Sequence, residues 1–173
     1  MSIINKPQSF FVDCHVFDKG FQGTRTYIQG LYLELIKDQN RVFYFAATNV
    51  ENLKSIFGTQ PNVFYLAYKS NNPVLRLLFE IPYLIKRFHI DYAHFQYRVA
   101  PLKFCKYIVT THDVLFEDFP EYFPKINRLQ SFWTYKYSAK KADIVFTVSQ
   151  YSRQKIQQHL LITNPIVMHN GVN

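Results

Sequence analysis

The chain has 173 residues, of which 48% are apolar and 18% aromatic, and its 20 Lys and Arg outnumber its 12 Asp and Glu, so the formal net charge is +8. This composition predicts a folded domain with one sizeable core, and it excludes a disordered tail, a coiled coil and a disulfide-stapled mini-protein. Its two cysteines, Cys14 and Cys105, offer no disulfide framework, which suits a reducing compartment.

The predicted strands are short runs rich in Phe, Tyr, Val and Ile. Most of them lack strict polar alternation, which is typical of strands buried on both faces of a parallel sheet. In chain order they are Ser9–His15, Val42–Ala47, Val63–Ala67, Tyr92–Phe95, Tyr107–Thr111, Ile144–Val148 and Pro165–His169.

Helical patterns lie between these runs, and the clearest is an apolar stripe of period 3.6 through Tyr27, Leu31 and Leu35. Pro82 should kink or break the helix in which it lies. The predicted helices begin after Gly23, at Asn49, at Asn72-Pro73, at Pro124 and at Ser149.

This alternation predicts an α/β fold with a Rossmann-like, doubly wound, mainly parallel sheet over residues 1–173, taken as a single domain. The link between Phe95 and Lys106 is too short for a crossover helix. In such a fold, ligands bind at the carboxyl ends of the strands.

Charge and hydropathy also indicate where the protein acts. Charged residues interrupt every apolar stretch before the ~18 residues that a membrane span needs, and the first eight residues lack a signal-peptide core. We therefore expect a cytoplasmic protein. Its excess of cations suits phosphates and anionic lipids, and we expect Lys86, Arg87 and Lys103 to contact the inner face of a membrane. Ordinary solvated helix faces are the alternative.

Three strand-to-helix junctions carry candidate chemistry. Gly20 and Gly23, with Arg25, can form a phosphate-facing loop or a plain turn. His112 and Asp113 follow a buried strand, where a histidine can bind a sugar hydroxyl or support charge; a purely structural pair is the alternative.

The third junction combines hydroxyls, exposed N–H groups and a cation, at Ser149, Ser152 and Arg153. It can hold phosphate or carbohydrate oxygens, or Ser149 can simply cap a helix.

Other chemistries are disfavoured. Cys14 has no defined base partner, so a small buried cysteine is expected rather than a nucleophile. His89 and His94 lack companion ligands at zinc spacing, so no metal is expected. Most aromatic residues fall inside strands or on helix stripes, where core packing explains them, and no nucleic-acid partner is expected.

Four segments, in order, resemble the N-terminal half of group 1 (family 4) glycosyltransferases, the retaining enzymes that have two Rossmann-like domains in the GT-B arrangement. Gly23–Leu35 is similar to the family's glycine loop and helix. Val109–Pro124 resembles its His-Asp segment, especially in mannosyltransferase-like members. Ala142–Arg153 resembles its Ala-Asp-x-Val-x-x-Val-Ser-Glu-x-Ser segment, and Asn170–Asn173 its Asn-Gly-Val-Asp.

The resemblance implies transfer of a sugar from a nucleotide-sugar to a saccharide or lipid-linked acceptor in polysaccharide biosynthesis, with no cofactor and no metal. It implies catalytic roles for His112 and Asp113 and a donor-phosphate loop at Gly20, Gly23 and Arg25. It also implies an acceptor side at Ser149, Ser152 and Arg153, and a hinge at Asn170 and Gly171.

The resemblance further implies a C-terminal nucleotide-sugar-binding domain with a Lys or Arg and two Glu that are separated by seven residues. The glutamates here, at positions 34, 51, 80, 117 and 121, contain no such pair. We therefore expect the acceptor-binding half of a glycosyltransferase, inactive by itself. A non-catalytic α/β binding or regulatory module is the alternative.

Overall fold

The strands of the computed structural model, which describes residues 6–18, 20 and 22–170, form one seven-stranded sheet in the order β3-β2-β1-β4-β5-β6-β7. This is the order of a doubly wound fold and confirms the predicted Rossmann-like α/β class. The strands are β1 (Gln8–Asp13), β2 (Arg41–Ala47), β3 (Val63–Ala67), β4 (Tyr92–Gln96), β5 (Lys106–Thr110), β6 (Ile144–Thr147) and β7 (Ile166–Val167).

Five helices begin where the sequence patterns predict them, whereas the short helix Leu115–Asp118 has no predicted counterpart. Asn49 and Ser149 cap the helices after them, since each side chain accepts a backbone N–H three residues on. Gly58, with a φ of 71°, ends the second helix. The helices are α1 (Gly23–Leu35), α2 (Val50–Phe57), α3 (Pro73–Leu75), α4 (Ile81–Arg87), α5 (Leu115–Asp118), α6 (Lys125–Lys141) and α7 (Gln150–Leu160).

The predicted end of the first strand is wrong. The first strand ends at Asp13 rather than at His15, because the Asp13 carboxylate accepts the His15 backbone N–H at 3.3 Å and the chain turns into a short 3₁₀ helix. The prediction for Pro82 agrees with the structure. A π-helical turn, Arg76–Glu80, lies directly before Pro82 and divides the helical segment into α3 and α4, with Pro82 in the first turn of α4.

Contacts divide the chain into two compact units. One contains the chain up to Ala93 together with Ala100–Cys105, and the other contains His94–Val99 together with the chain from Lys106 onward.

The core of the first unit is aromatic. β1 pairs in parallel with β2, and β2 with β3. Phe45 of β2 is fully buried, and its ring lies 4.5 Å from that of Phe57 and 5.4 Å from that of Tyr32, centroid to centroid. Such ring pairs add about 0.5–1.5 kcal/mol each to the burial of their area.

The second unit is built on the parallel pairs β5–β6 and β6–β7. Phe116 of α5 packs with Ile156 and Leu160 of α7, and Phe132 and Tyr135 of α6 lie against this cluster. The cluster fixes α5, α6 and α7 beside the end of β5.

Candidate functional site

His112 lies just after β5 and is bound to a neighbouring strand. Its side chain is 7% exposed, and its Nε2 lies 2.8 Å from Oε1 of Gln96, at the end of β4. Because a carboxamide oxygen only accepts, the proton of the neutral imidazole is on Nε2. Gln96 therefore fixes both the orientation and the tautomer of His112.

A second buried histidine continues this chain of hydrogen bonds. Nε2 of His94 lies 3.4 Å from the Gln96 amide nitrogen and 2.8 Å from the Thr110 hydroxyl. The Gln96 amide nitrogen can only donate, so Nε2 of His94 is an acceptor. We call His94, Gln96, Thr110 and His112 the histidine network.

Burial keeps both imidazoles neutral. It lowers the pKa of His112 from 6.5 to about 4. It lowers that of His94 to about 3, with His112 adding a smaller effect. At neutral pH, His112 can therefore act on a ligand as a hydrogen-bonding dipole and not as a cation.

The histidine network predicts acid sensitivity. Since both folded pKa values lie below 6.5, the unfolded chain takes up protons first as the pH falls, and the free energy of unfolding should decrease from pH 6.5 downward. The slope should approach about 1.4 kcal/mol per pH unit for each histidine. Urea unfolding between pH 6.5 and about 5, where carboxylates remain ionised, measures it. The substitution His94→Gln should roughly halve the slope, and an unchanged slope would contradict the assignment.

Tyr97 has a backbone conformation that is unusual for a bulky residue. Its φ is 60°, and its ring stacks 4.8 Å from that of Tyr135 and lies 5.4 Å from the His112 ring. Its hydroxyl donates to Oδ2 of Asp113 at 3.3 Å. Strained residues of this kind concentrate at functional sites. Tyr97 thus contacts both predicted catalytic side chains.

Asp113 also shapes the chain that follows it. Its Oδ1 accepts the backbone N–H of Leu115 at 3.2 Å, at the start of α5. Asp113 as a residue is partly exposed, so it combines a local structural role with some access to solvent.

Ser149 and Ser152 bond to each other. Oγ of Ser149 accepts the Ser152 backbone N–H at 3.0 Å and donates to the Ser152 hydroxyl, also at 3.0 Å. Ser152 is 6% exposed, whereas Arg153 is partly exposed. These bonds favour helix capping for the serines, and Arg153 is the member of the trio with a charge that a ligand can reach.

The predicted glycine loop belongs to the first unit. Gly20 and Gly23 are exposed, and a Cβ built at either would meet no atom within 4 Å. Arg25, in the first turn of α1, lies with its guanidinium 5.3 Å from the centre of the Phe17 ring. Asn170 is exposed beyond β7, and Gly171 lies outside the described residues.

A polar cluster at the end of β1 was not predicted as a site. Asp13 is 1% exposed, and its carboxylate accepts the Tyr68 hydroxyl at 2.9 Å. Nδ1 of His15 lies 3.1 Å from it, and Nε of the buried Arg76 lies 3.6 Å away. Burial alone would raise the pKa of Asp13, but His15, Arg76 and Tyr68 together lower it to about 2.

The charge of Asp13 also affects the pKa of the neighbouring Cys14 thiol. The thiol is fully buried, and burial together with the Asp13 charge raises its pKa well above the ordinary range. A thiolate nucleophile is thereby disfavoured. The two cysteines of the chain are both free thiols.

Within residues 6–18, 20 and 22–170, no three His, Cys, Asp or Glu side chains gather as they would around a metal ion. Among the same residues, every helix is too short or too polar to cross a bilayer.

Comparisons with known proteins bear on the whole chain. A crystal structure of a glycosyltransferase from Rickettsia africae ESF-5 superposes on it with a TM-score of 0.59 at 19% sequence identity, over 98% of this chain and 44% of that one. The chain thus spans less than half the length of that protein. A search of curated proteins finds no match. The profile of Glycosyltransferase Family 4 matches residues 21–173, and the chain therefore belongs to this family.

Proposed function

We propose that the chain is the acceptor-binding half of a retaining glycosyltransferase. The whole protein would move a sugar, mannose in the mannosyltransferase-like case, from a nucleotide-sugar to a saccharide or lipid-linked acceptor in polysaccharide biosynthesis. The observation that carries the proposal is His112, which follows β5 in a member of Glycosyltransferase Family 4. Its imidazole is buried and neutral, and Gln96 holds it in one tautomer.

In this proposal His112 contacts the transferred sugar. A neutral imidazole supplies oriented dipoles that stabilise charge developing on the sugar without bringing a full charge into the site. Asp113 orients the sugar or the acceptor, and Tyr97 holds the Asp113 carboxylate through its hydroxyl.

The remaining roles concern the two substrates. Gly20, Gly23 and Arg25 border the donor phosphate, where α1 offers its N-terminus. Arg153 meets the phosphate or hydroxyl oxygens of the acceptor, and Ser149 and Ser152 hold the start of α7 in position for it. Asn170 and Gly171 form the hinge.

The other half of the enzyme would supply the nucleotide-sugar site. This chain covers 44% of the Rickettsia glycosyltransferase, and its glutamates lack the spacing that the family uses in its second domain. Cations and helix dipoles of that domain can neutralise the leaving diphosphate, so the proposal needs no metal and no cofactor. The chain alone would be inactive.

The experiment compares this chain with the protein encoded when the reading frame is followed past Asn173. Both are incubated with a panel of nucleotide-sugars, and release of the nucleoside diphosphate is followed. Release by the longer protein alone supports the proposal. A stop codon directly after Asn173, with no release, supports the alternative of a non-catalytic binding module.

Under this proposal the protein is cytoplasmic, and it contacts the inner face of the membrane peripherally through Lys86, Arg87 and Lys103. All three are exposed. Nζ of Lys86 lies 3.9 Å from the centre of the Phe104 ring, and the Arg87 guanidinium donates to the Tyr83 hydroxyl at 2.6 Å. Exposed aromatic rings beside cations suit a headgroup region.

A further inference from the structure

Helix α6 exposes a continuous row of large apolar side chains. Ile126, Leu129, Trp133 and Tyr137 are 81%, 61%, 60% and 47% exposed. Their spacing of three or four residues places them on one face of the helix. Tyr122, just before α6, is 76% exposed. We call the four helical residues the α6 stripe.

The α6 stripe corrects the expectation that aromatic residues on helix stripes pack in the core. Phe132 and Tyr135 do pack there, but Trp133 and Tyr137 lie on the opposite side. Only one narrow face of α6 packs against the core. The opposite face carries the α6 stripe, although a surface helix ordinarily has charged or polar residues there.

The charge of α6 has one sign. The helix contains five cations and no acidic residue. Arg128 pairs with Glu117 of α5, its Nε lying 3.5 Å from the carboxylate, and Nζ of Lys136 lies 5.1 Å from the centre of the Phe132 ring. Lys125 and Lys140 are exposed near the two ends of the α6 stripe. The five are Lys125, Arg128, Lys136, Lys140 and Lys141.

The composition of the α6 stripe favours a lipid surface over a nucleic acid. Trp and Tyr prefer the boundary between headgroups and acyl chains, and Lys beside them meets lipid phosphates. A nucleic-acid surface would use the rings for base stacking and would gain nothing from Ile126 or Leu129. Acyl chains gain from both, because apolar area is removed from water.

We propose that α6 lies flat in the surface of an anionic membrane. The α6 stripe enters the boundary between headgroups and acyl chains, and Lys125 and Lys140 bind lipid phosphates. This surface differs from the one around Lys86, Arg87 and Lys103, and the proposal does not depend on sugar transfer.

The chain contains its own reporter, because Trp133 is its single tryptophan. The 173-residue chain is titrated with vesicles of phosphatidylcholine alone and of phosphatidylcholine mixed with phosphatidylglycerol. With the mixed vesicles we expect Trp133 emission to shift to shorter wavelength and to be quenched by lipids brominated near the headgroup. We expect the effect to weaken as salt is added.

Two variants test the two parts of the surface. The first is the double variant Ile126→Gln, Tyr137→Gln, which should weaken partitioning of the chain into the mixed vesicles about tenfold or more. The second is the double variant Lys125→Gln, Lys140→Gln, which should weaken the same partitioning about fivefold for each lysine removed. The matched control is Leu161→Asn, which removes a side chain of similar exposure, 65%, at the end of α7, where a φ of 58° suits asparagine.

Circular dichroism checks that each variant is folded. The proposal is overturned if vesicles bind while Trp133 emission stays unchanged, or if charge reversal at Lys86, Arg87 and Lys103 abolishes binding while both α6 variants bind normally. It is also overturned if single-stranded nucleic acid, or a second copy of the chain at raised concentration, shifts Trp133 emission and vesicles do not.

Discussion

In the glycosyltransferase proposed above, replacing His112 with alanine should lower the rate of sugar transfer by about 10²-fold or more. The imidazole is buried, neutral and held by Gln96, so its loss removes a preorganised dipole that solvent cannot replace in the same position. Initial rates at saturating donor and acceptor measure the effect on kcat.

The matched control is His89→Asn. His89 is an exposed histidine with a φ of 50°, which asparagine accepts readily. This variant should transfer sugar at the wild-type rate. Gln96→Leu should lower kcat less than His112→Ala does, and should alter the pH profile, because it removes the bond that selects the tautomer. Undiminished transfer by the His112 variant would refute the role proposed for it.

Replacing Asp13 with asparagine should lower the free energy of unfolding by about 3 kcal/mol. The substitution removes the charge that compensates the buried guanidinium of Arg76, and breaking a buried ion pair on one side costs about 3–5 kcal/mol. Asparagine still accepts the Tyr68 hydroxyl, so the lower end is expected. Urea unfolding at neutral pH, followed by circular dichroism, measures the change.

The double variant Asp13→Asn with Arg76→Met provides the control. It removes both charges, so it should be more stable than Asp13→Asn alone, since apolar replacements of buried ion pairs are often neutral. If Asp13→Asn costs less than about 1 kcal/mol, or if the double variant is no more stable than the single one, the cluster does not depend on the ion pair.

The parts of the fold that could be predicted from sequence are those with local physical causes. Uninterrupted apolar runs identified β2, β5 and β6, because strands buried on both faces need apolar side chains throughout. Asn72 and Ser149 indicated where two helices begin, because their side chains accept hydrogen bonds from backbone N–H groups that have no partner within the first turn.

The candidate site could be predicted only in part, because its geometry depends on long-range pairing. His112 and Asp113 stand out at the end of a strand, but Gln96 becomes their neighbour only when β4 lies beside β5. The positive φ of Tyr97 could not be predicted from its residue type, since tyrosine rarely adopts this conformation. The exposure of Trp133 depends on which face of α6 the core takes.

The outermost strand has a consequence for the behaviour of the protein in concentrated solution. β7 contains two residues, Ile166 and Val167, at one margin of the sheet. A long, flat margin is a template on which another chain can add its own backbone, and natural proteins suppress this by keeping marginal strands short. So brief a strand offers an incoming chain few amide and carbonyl groups, and we expect it to resist amyloid-like growth at this margin.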